Sequence, residues 1–140
     1  MRINQHSKYH YINFLSTRQN WRQLDQDLWR MEKWLELARA TLRQHHSAVG
    51  VGSASPPSSM EALEDAIQDH REFLLELDSH KSLMMSVNVI GSHLAEHSRD
   101  KRRVERLEGR LAAVNAQWDA ACEEATRWQA MLQTALLEVR

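Results

Sequence analysis

One apolar stripe in the last quarter of the sequence restricts the fold more than any other feature. From Val104 to Val139, apolar residues follow one another at steps of three and four without a break. Residues at this spacing share one face of an α-helix, and the charged residues between them take the other face. At about 1.5 Å per residue the predicted helix is roughly 54 Å long, which suits packing along other long helices. The stripe consists of Val104, Leu107, Leu111, Val114, Trp118, Ala121, Ala125, Trp128, Leu132, Ala135 and Val139.

Two further helices are predicted upstream, at about residues 14–45 and 59–97, followed by the third at about 101–139. Ser58-Ser-Met-Glu61 has the spacing of a capping box, and Asp100 suits the N-cap of the third helix. The first helix repeats the pattern with Trp21, Leu24, Leu28, Met31, Leu35, Ala38 and Leu42. The second has a weaker stripe with a predicted phase slip before His80, and it consists of Leu63, Ile67, His70, Leu74, Leu77, His80, Met84, Val87, Gly91 and Leu94.

The connections determine how these helices pack. Residues 46–58 contain glycines, serines and two adjacent prolines, which deny the backbone a regular helix and predict an exposed loop. A tight turn joins the second and third helices. Helices joined by reversing connections run antiparallel, so the sequence predicts an all-α, elongated, up-down-up three-helix bundle. Residues 1–13 show no clear hydrophobic periodicity and are interpreted as a poorly specified lead-in to the single three-helix unit of residues 14–140.

Composition excludes several classes of protein. The formal net charge of −1 argues against a dedicated nucleic-acid binder, and no apolar run is long enough for a membrane span. The first fifteen residues do not have the pattern of a secretory signal. The single cysteine, Cys122, cannot form an internal disulfide, which suits a reducing compartment such as the cytosol.

The candidate reactive residues do not form a known catalytic motif. His93 and His97 are four residues apart with Glu96 nearby, a spacing that holds zinc only when a third ligand converges, and the sequence offers none. Cys122 has no neighbouring base in the pattern and is interpreted as an inert, part-buried thiol. No glycine-rich phosphate loop or Ser/His/Asp arrangement is present. We therefore predict no enzyme, no metal site and no cofactor.

Two histidines stand on the predicted apolar face of the second helix. His70 and His80 are predicted to be rings at the edge of the core, bonded to side chains of a facing helix. If any ring is buried in its neutral form, acid pH is expected to loosen the bundle.

Three segments together resemble the spectrin repeat: Glu32-Lys-Trp34-Leu35-Glu36, His70-Arg-Glu-Phe73 with Leu77 and His80, and Val114-Asn-Ala-Gln-Trp118-Asp119. In that family a Trp-Leu pair in the first helix and a second tryptophan in the third helix meet in the core. Trp34 and Trp118 match those positions. The resemblance covers about residues 14–139 and implies a core signature of Trp34, Leu35, His70, Leu77, Trp118 and Leu132.

Within this family the segments Trp118–Cys122 and Trp128–Leu136 look most like repeats of nesprins, giant proteins of the outer nuclear envelope. Dystrophin and utrophin repeats are next in likeness. Two features depart from the family pattern: the first connection is long, and Trp128 stands where an arginine is common. The resemblance implies a cytoplasmic spacer and docking repeat of a cytoskeletal linker. Its partners would be neighbouring repeats and scaffold proteins, with actin and membrane bound only by other parts of the parent protein.

Two surfaces are candidates for docking. Trp29 points outward in any register that buries Leu28 and Leu35, so it can contact a partner or a neighbouring repeat. The turn before the third helix carries a basic cluster that is either a solvated face or a binding surface for anionic lipid or an acidic protein. The second reading defines an alternative function, a free-standing helical adaptor. The basic cluster consists of Arg99, Lys101, Arg102, Arg103 and Arg106.

Overall fold

The computed structural model of the chain describes residues 17–49 and 59–139, and this part of the chain forms three helices. Helix α1 spans Thr17–Val49, α2 spans Met60–His97 and α3 spans Lys101–Val139. Each helix packs against the other two, and the described residues contain no strand. The predicted all-α three-helix bundle is confirmed. The predicted lead-in at 1–13, the first residues of the predicted first helix and most of the predicted loop lie outside the described residues.

Side-chain contacts between the helices define their directions. Near the beginnings of α1 and α3, the guanidinium of Arg103 lies 4.0 Å from the centre of the Trp21 ring. Near their ends, His45 stacks on Trp128 with ring centroids 3.8 Å apart. His70, close to the beginning of α2, contacts the same Trp128 ring. Helices α1 and α3 therefore run parallel, and α2 lies antiparallel to both.

Side chains cap the N-termini of helices α2 and α3 through hydrogen bonds. The Ser59 hydroxyl accepts a hydrogen bond of 3.1 Å from the Ala62 amide, so the N-cap of α2 is Ser59 and the predicted cap at Ser58 is wrong by one residue. The Asp100 carboxylate accepts from the Arg103 amide at 3.2 Å, as expected of the predicted N-cap of α3. Each cap satisfies an amide that the first turn of a helix leaves unpaired.

Helix α1 continues further than the sequence analysis predicts. It ends at Val49, four residues beyond the expected end at His45. No residue between these positions is a glycine or a proline, and the first glycine of the chain is Gly50. The beginning of the predicted loop at 46–49 is therefore helical, because the helix lacks a residue that would terminate it earlier.

The core follows the predicted stripes of α1 and α3. Every predicted stripe residue of α1 is buried, and those of α3 with described side chains are buried or half-buried. In α2 the predicted phase slip is wrong, because the inward residues step by three and four without interruption. Ile67 and Leu74, which suggested the slip, are half-buried flanks of the true stripe. That stripe consists of Leu63, Ala66, His70, Phe73, Leu77, His80, Met84, Val87, Gly91 and Leu94.

Gly91 has a packing role in the seam between α2 and α3. A Cβ atom at this position would lie 2.8 Å from Cδ1 of Leu111, which is closer than van der Waals contact. The glycine thus lets Leu111 approach the backbone of α2. What looks like a defect in a helical sequence, at a cost of about 1 kcal/mol relative to alanine, is in the structure a site of close helix packing.

The same seam contains a pair of reciprocally bonded amides. Nδ2 of Asn88 donates to Oδ1 of Asn115 at 3.0 Å, and Nδ2 of Asn115 donates to Oδ1 of Asn88 at 2.8 Å. Each side chain also donates to a carbonyl one turn earlier in its own helix. Both residues are half-buried. Two such amides bond fully only when they lie opposite each other, so the pair fixes the axial register of α2 against α3.

Replacing either asparagine with alanine is expected to lower the free energy of unfolding by about 1 kcal/mol, because the remaining amide loses its partner. The double variant Asn88→Ala with Asn115→Ala is expected to be less destabilised than the sum of the two single variants. Urea unfolding of all four proteins gives the coupling energy of the pair directly. A coupling energy near zero would contradict a register role for these side chains.

Candidate docking surfaces

The residues of the predicted core signature divide into two groups in the structure. Leu35, His70 and Leu132 are buried, whereas Trp34, Leu77 and Trp118 are half-buried and pack against the edge of the core. The rings of Trp34 and Trp118 do meet, with centroids 6.1 Å apart.

The Trp34 ring also covers part of α2. It stacks on His80 with centroids 4.2 Å apart and lies 6.4 Å from Phe73. Nδ1 of His80 lies 2.7 Å from the carbonyl oxygen of Glu76 on its own helix. The predicted hydrogen bond from His80 to a facing side chain is therefore wrong: the ring meets the facing helix by stacking.

The aromatic centre of the bundle is Trp128, which the sequence analysis places on the stripe of α3 without giving it a special role. Its side chain is 2% exposed, against the half-buried Trp34 and Trp118. Rings from the two other helices surround it: His45 at 3.8 Å, His70 at 4.5 Å and Phe73 at 5.9 Å between centroids. The stripe position alone indicates burial, but the surrounding rings follow only from the way the helices align.

Trp29 lies on the surface, as its position in the helical pattern predicts. Its side chain is 58% exposed and lines a shallow groove with Asp25, Gln26 and Arg30. The groove combines one large aromatic surface with charges of both signs. Such a surface suits contact with a protein, since exposed aromatic residues beside polar groups are frequent at interfaces.

An ion-pair network beside this groove joins α1 to α3. The Arg110 guanidinium donates from Nε and Nη2 to the two carboxylate oxygens of Glu32, at 3.2 and 2.9 Å. Its Nη1 donates to Asp25 at 3.1 Å. The hydrogen bond with Glu32 raises the pKa of Arg110, with Asp25 adding to the effect and burial opposing it. One arginine of α3 thus holds two carboxylates of α1 in a fixed geometry.

Arg110→Lys is expected to lower the free energy of unfolding by about 0.5–1 kcal/mol at low salt, because a lysine cannot reproduce the two-pronged contact with Glu32. The difference is expected to shrink at high salt, since Arg110 is partly exposed and its pairs are screened. Arg127→Lys is the matched control, because Arg127 pairs with Glu124 on its own helix. Urea unfolding at two salt concentrations measures both effects, and equal losses in the two variants would contradict an interhelical contribution.

The basic cluster occupies the end of the bundle where α2 passes into α3. All five side chains are exposed, and within residues 17–49 and 59–139 none of them pairs with a carboxylate. Arg103 differs from the other four, because its guanidinium covers the Trp21 ring, 4.0 Å from the ring centre. Its assignment as a docking residue alone is therefore incomplete: it also closes this end of the core by a cation–π contact.

Two arginines of α1 extend this basic surface beyond the cluster that the sequence identifies. Arg18 and Arg22 are exposed and flank Trp21, which contacts Arg103. They lie far from the cluster in sequence but at the same end of the bundle, because α1 and α3 run parallel. Sequence proximity alone therefore cannot associate Arg18 and Arg22 with the basic cluster.

The residues weighed for metal binding and catalysis do not converge. The rings of His93 and His97 lie 4.4 Å apart, and Nδ1 of His97 lies 2.8 Å from the His93 carbonyl oxygen. Across the described helices, no three histidine, cysteine or acidic side chains are arranged to hold a metal. Burial raises the pKa of the half-buried Cys122 thiol, Asp119 adds to the rise, and Lys81 opposes it. At neutral pH this thiol is therefore a poor nucleophile.

Three long helices in up-down-up order, with Trp34 and Trp118 meeting at the edge of the core, form a bundle that is consistent with a spectrin-like repeat. Comparison with known proteins agrees. Muscle-specific protein 300 kDa of Drosophila melanogaster is 49% identical over 123 residues, 88% of this chain and 1% of that relative. Nesprin-2 of Homo sapiens is 27% identical over 126 residues, 90% of this chain and 2% of the relative. Nesprin-2 of Mus musculus is 27% identical over 124 residues, 89% of this chain and 2% of the relative.

The chain is thus homologous to segments of giant spectrin-repeat-containing proteins, and the predicted resemblance to repeats of the nesprin kind is confirmed. It spans only 1–2% of the length of the curated relatives it matches. No protein-family model and no solved structure matches the chain. None of the described helices has an apolar segment long enough to cross a membrane.

Proposed function

We propose that the chain is a non-enzymatic spacer and protein-docking repeat of a large cytoskeletal linker of the nesprin type. The observation that carries the proposal is an elongated three-helix bundle that is homologous to a short segment of giant repeat proteins. In such a protein the bundle separates functional ends, and its neighbours along the chain are further repeats. In line with the resemblance, other parts of the parent protein would connect the outer nuclear membrane to actin.

The dimensions and chemistry of the bundle support a spacer. Helices of 33, 38 and 39 residues are each roughly 50–58 Å long at about 1.5 Å per residue. Their apolar faces are buried along nearly the whole length, so the helices resist sliding past one another. The remaining faces are mostly polar and available for lateral contacts. Of these, the groove at Trp29 has the composition of a protein-docking surface.

The first test is sedimentation equilibrium, followed by urea unfolding monitored by tryptophan fluorescence. A monomer that unfolds in one cooperative transition is the expected result, because the three stripes bury one another within a single chain. A dimer whose unfolding midpoint rises with protein concentration would mean that helices pair between chains. That result would contradict a self-contained spacer.

The docking part of the proposal needs a separate test, made with neighbouring repeats attached. Trp29→Ala is expected to weaken binding of a scaffold partner without changing the urea midpoint, since the side chain is largely exposed. Leu75→Ala is the matched control: it is 71% exposed on the outer face of α2, away from the groove. Equal effects of the two substitutions on binding would overturn the assignment of the Trp29 groove.

The alternative is a free-standing adaptor that binds anionic membrane through the basic end of the bundle. The exposure of Arg99, Lys101, Arg102 and Arg106, together with Arg18 on α1, favours it. Sedimentation with vesicles of anionic and of neutral lipid, at low and at high salt, distinguishes the two functions. Strong, salt-sensitive binding to anionic vesicles only, lost when Arg99, Lys101, Arg102 and Arg106 are changed to glutamine, supports the adaptor. Weak binding to both kinds of vesicle supports the spacer.

A further inference from the structure

Two histidines enclose the buried Trp128 at the end of the bundle where α1 ends and α2 begins. His45 of α1 stacks on the indole face, with ring centroids 3.8 Å apart and planes inclined by 27°. His70 of α2 meets the ring edge-on, with centroids 4.5 Å apart at 74°. His70 is 5% exposed, and His45 is half-buried. We call these three residues the His45–His70–Trp128 cluster. It joins all three helices.

The buried polar atoms of the cluster lack hydrogen-bond partners. Three buried nitrogens form no hydrogen bond of good geometry within the described part of the chain: Nδ1 and Nε2 of His70 and the indole Nε1 of Trp128. The facing side chain that interacts with His70 is that of Gln129 on α3, as the prediction of a facing partner requires, but the two form no hydrogen bond of good geometry. The cleft beside His45 and Trp128 is bordered by Leu42 and Met131 and has no room for a water molecule. A neutral imidazole is costly to bury in this way, and an imidazolium with two unpaired donors is costlier still.

The neighbouring charged and polar groups do not compensate for the free-energy cost of protonating both rings. On α2, the carboxylate of Asp69 favours the charged form of His45. On α3, the neutral amide of Gln129 faces His70 and favours its protonated form, without a hydrogen bond of good geometry. From α1, His45 itself disfavours a charge on His70. Burial is the main cause that lowers the pKa of each ring. A protonated His45 can still stack on the indole as a cation, so His70 is the ring whose protonation the packing resists most.

We propose that the His45–His70–Trp128 cluster is a proton-sensitive contact that closes this end of the bundle when both rings are neutral and loosens it when His70 takes up a proton. Among the described residues, the opposite end, around Trp21, Leu24 and Leu94, holds no fully buried histidine, only the half-buried His93, and it is expected to stay packed. The cluster thus makes the two ends of one bundle differ in their response to acid. This difference between the ends is a property of the fold and is expected whether the bundle is a spacer or an adaptor.

The sign of the effect follows from the direction of the shifts. Both folded-state pKa values lie below the unfolded value of 6.5, so the unfolded chain binds more protons in this range. The stabilisation is complete above pH 6.5 and is lost as the pH falls below it. Between about pH 7.5 and about pH 5.5, a ring that stays neutral in the folded state raises the unfolding constant by at most about tenfold, and His70 is the ring expected to come closer to that limit.

Urea unfolding at these two pH values tests the proposal with two variants. His70→Gln is expected to reduce the pH effect on the unfolding constant, by up to about tenfold, relative to the parent chain. His80→Gln is the matched control. His80 lies on α2 like His70 and also stacks on a tryptophan, Trp34 of α1, but it is half-buried and its Nδ1 is bonded to the carbonyl oxygen of Glu76. The control is expected to keep the full pH effect. A pH effect that is unchanged in His70→Gln, or equally reduced in both variants, would overturn the proposal.

An NMR titration of the parent chain covers the case in which His70→Gln does not fold. The ring signals of His45 and His70 are expected to titrate below pH 6.5, and the indole N–H signal of Trp128, assigned with Trp128→Phe, to shift or broaden with the same midpoint. The indole signal of Trp21, at the opposite end, is expected to stay unchanged over this range. Midpoints for both histidines at or above 6.5, or simultaneous changes at Trp21 and Trp128, would show that no local proton-sensitive contact exists.

Discussion

Trp128→Ala is expected to lower the free energy of unfolding by about 3–5 kcal/mol, the usual loss when a fully buried large aromatic residue is truncated. The side chain is 2% exposed and touches rings from both other helices, so the cavity would open where all three helices meet. A single domain is stable by only about 5–15 kcal/mol, so one such change takes away a large part of the total. Urea unfolding followed by circular dichroism measures the loss without depending on tryptophan fluorescence.

Two other tryptophans calibrate this result. Trp29→Ala removes the same number of atoms from a side chain that is 58% exposed, and it is expected to change stability by less than about 0.5 kcal/mol. Trp34→Ala is expected to fall between them, at about 2 kcal/mol, because Trp34 is half-buried and stacks on His80 at the edge of the core. A larger loss at Trp34 than at Trp128 would mean that the centre of the core lies at the family signature and not at the buried end.

Periodicity identifies the inward face of a helix only where the residues on that face are clearly more apolar than their neighbours. In α1 the inward positions are occupied by large apolar residues, so periodicity identifies them without ambiguity. In α2 the inward positions include Ala66, His70 and Gly91, while the more hydrophobic Ile67 and Leu74 flank them. Hydrophobicity therefore selects Ile67 over the inward Ala66, and between the two apolar neighbours Phe73 and Leu74 it does not decide which is inward, so a slip is suggested. The register becomes evident only when α1 and α3 are in place and show which side of α2 they cover.

The candidate site was predictable only where it depends on one helix at a time. The outward position of Trp29 follows from its place beside Leu28, and the basic cluster is contiguous in sequence. Contacts between helices do not follow in this way, because a sequence carries no information on axial alignment that a reader can extract from one segment. The pairing of His45 with Trp128, of Arg103 with Trp21 and of Arg110 with Glu32 each depends on the parallel alignment of α1 and α3.

These interhelical contacts also explain why polar residues are tolerated near the core. Arg110 reaches two carboxylates of α1, and Asn88 and Asn115 satisfy each other across the other seam. Each contact has good geometry only at one axial alignment, so together they favour a single register over neighbouring ones that a heptad pattern would also allow. The His45–His70–Trp128 cluster differs, because its buried polar atoms form no hydrogen bond of good geometry within the described residues, and protonation is therefore expected to act there.

The second large effect is expected at Leu35. Its side chain is fully buried, and Leu35→Ala is expected to lower the free energy of unfolding by about 2–5 kcal/mol through lost apolar contact and the cavity that remains. Leu37→Ala, two residues away on the same helix, is the matched control. Leu37 is 67% exposed, so the same chemical change there is expected to cost less than about 0.5 kcal/mol.

The comparison of Leu35 with Leu37 tests the face assignment of α1 independently of every aromatic contact. Both substitutions replace leucine with alanine in the middle of one helix, so intrinsic helix propensity changes equally in the two variants. Any difference between them therefore measures burial. Similar losses in both variants, measured by urea unfolding of the monomer, would mean that Leu37 is covered in solution, either by a second chain or by a different packing of the three helices. Sedimentation equilibrium of Leu37→Ala separates these outcomes, because only the first predicts a change in the association state.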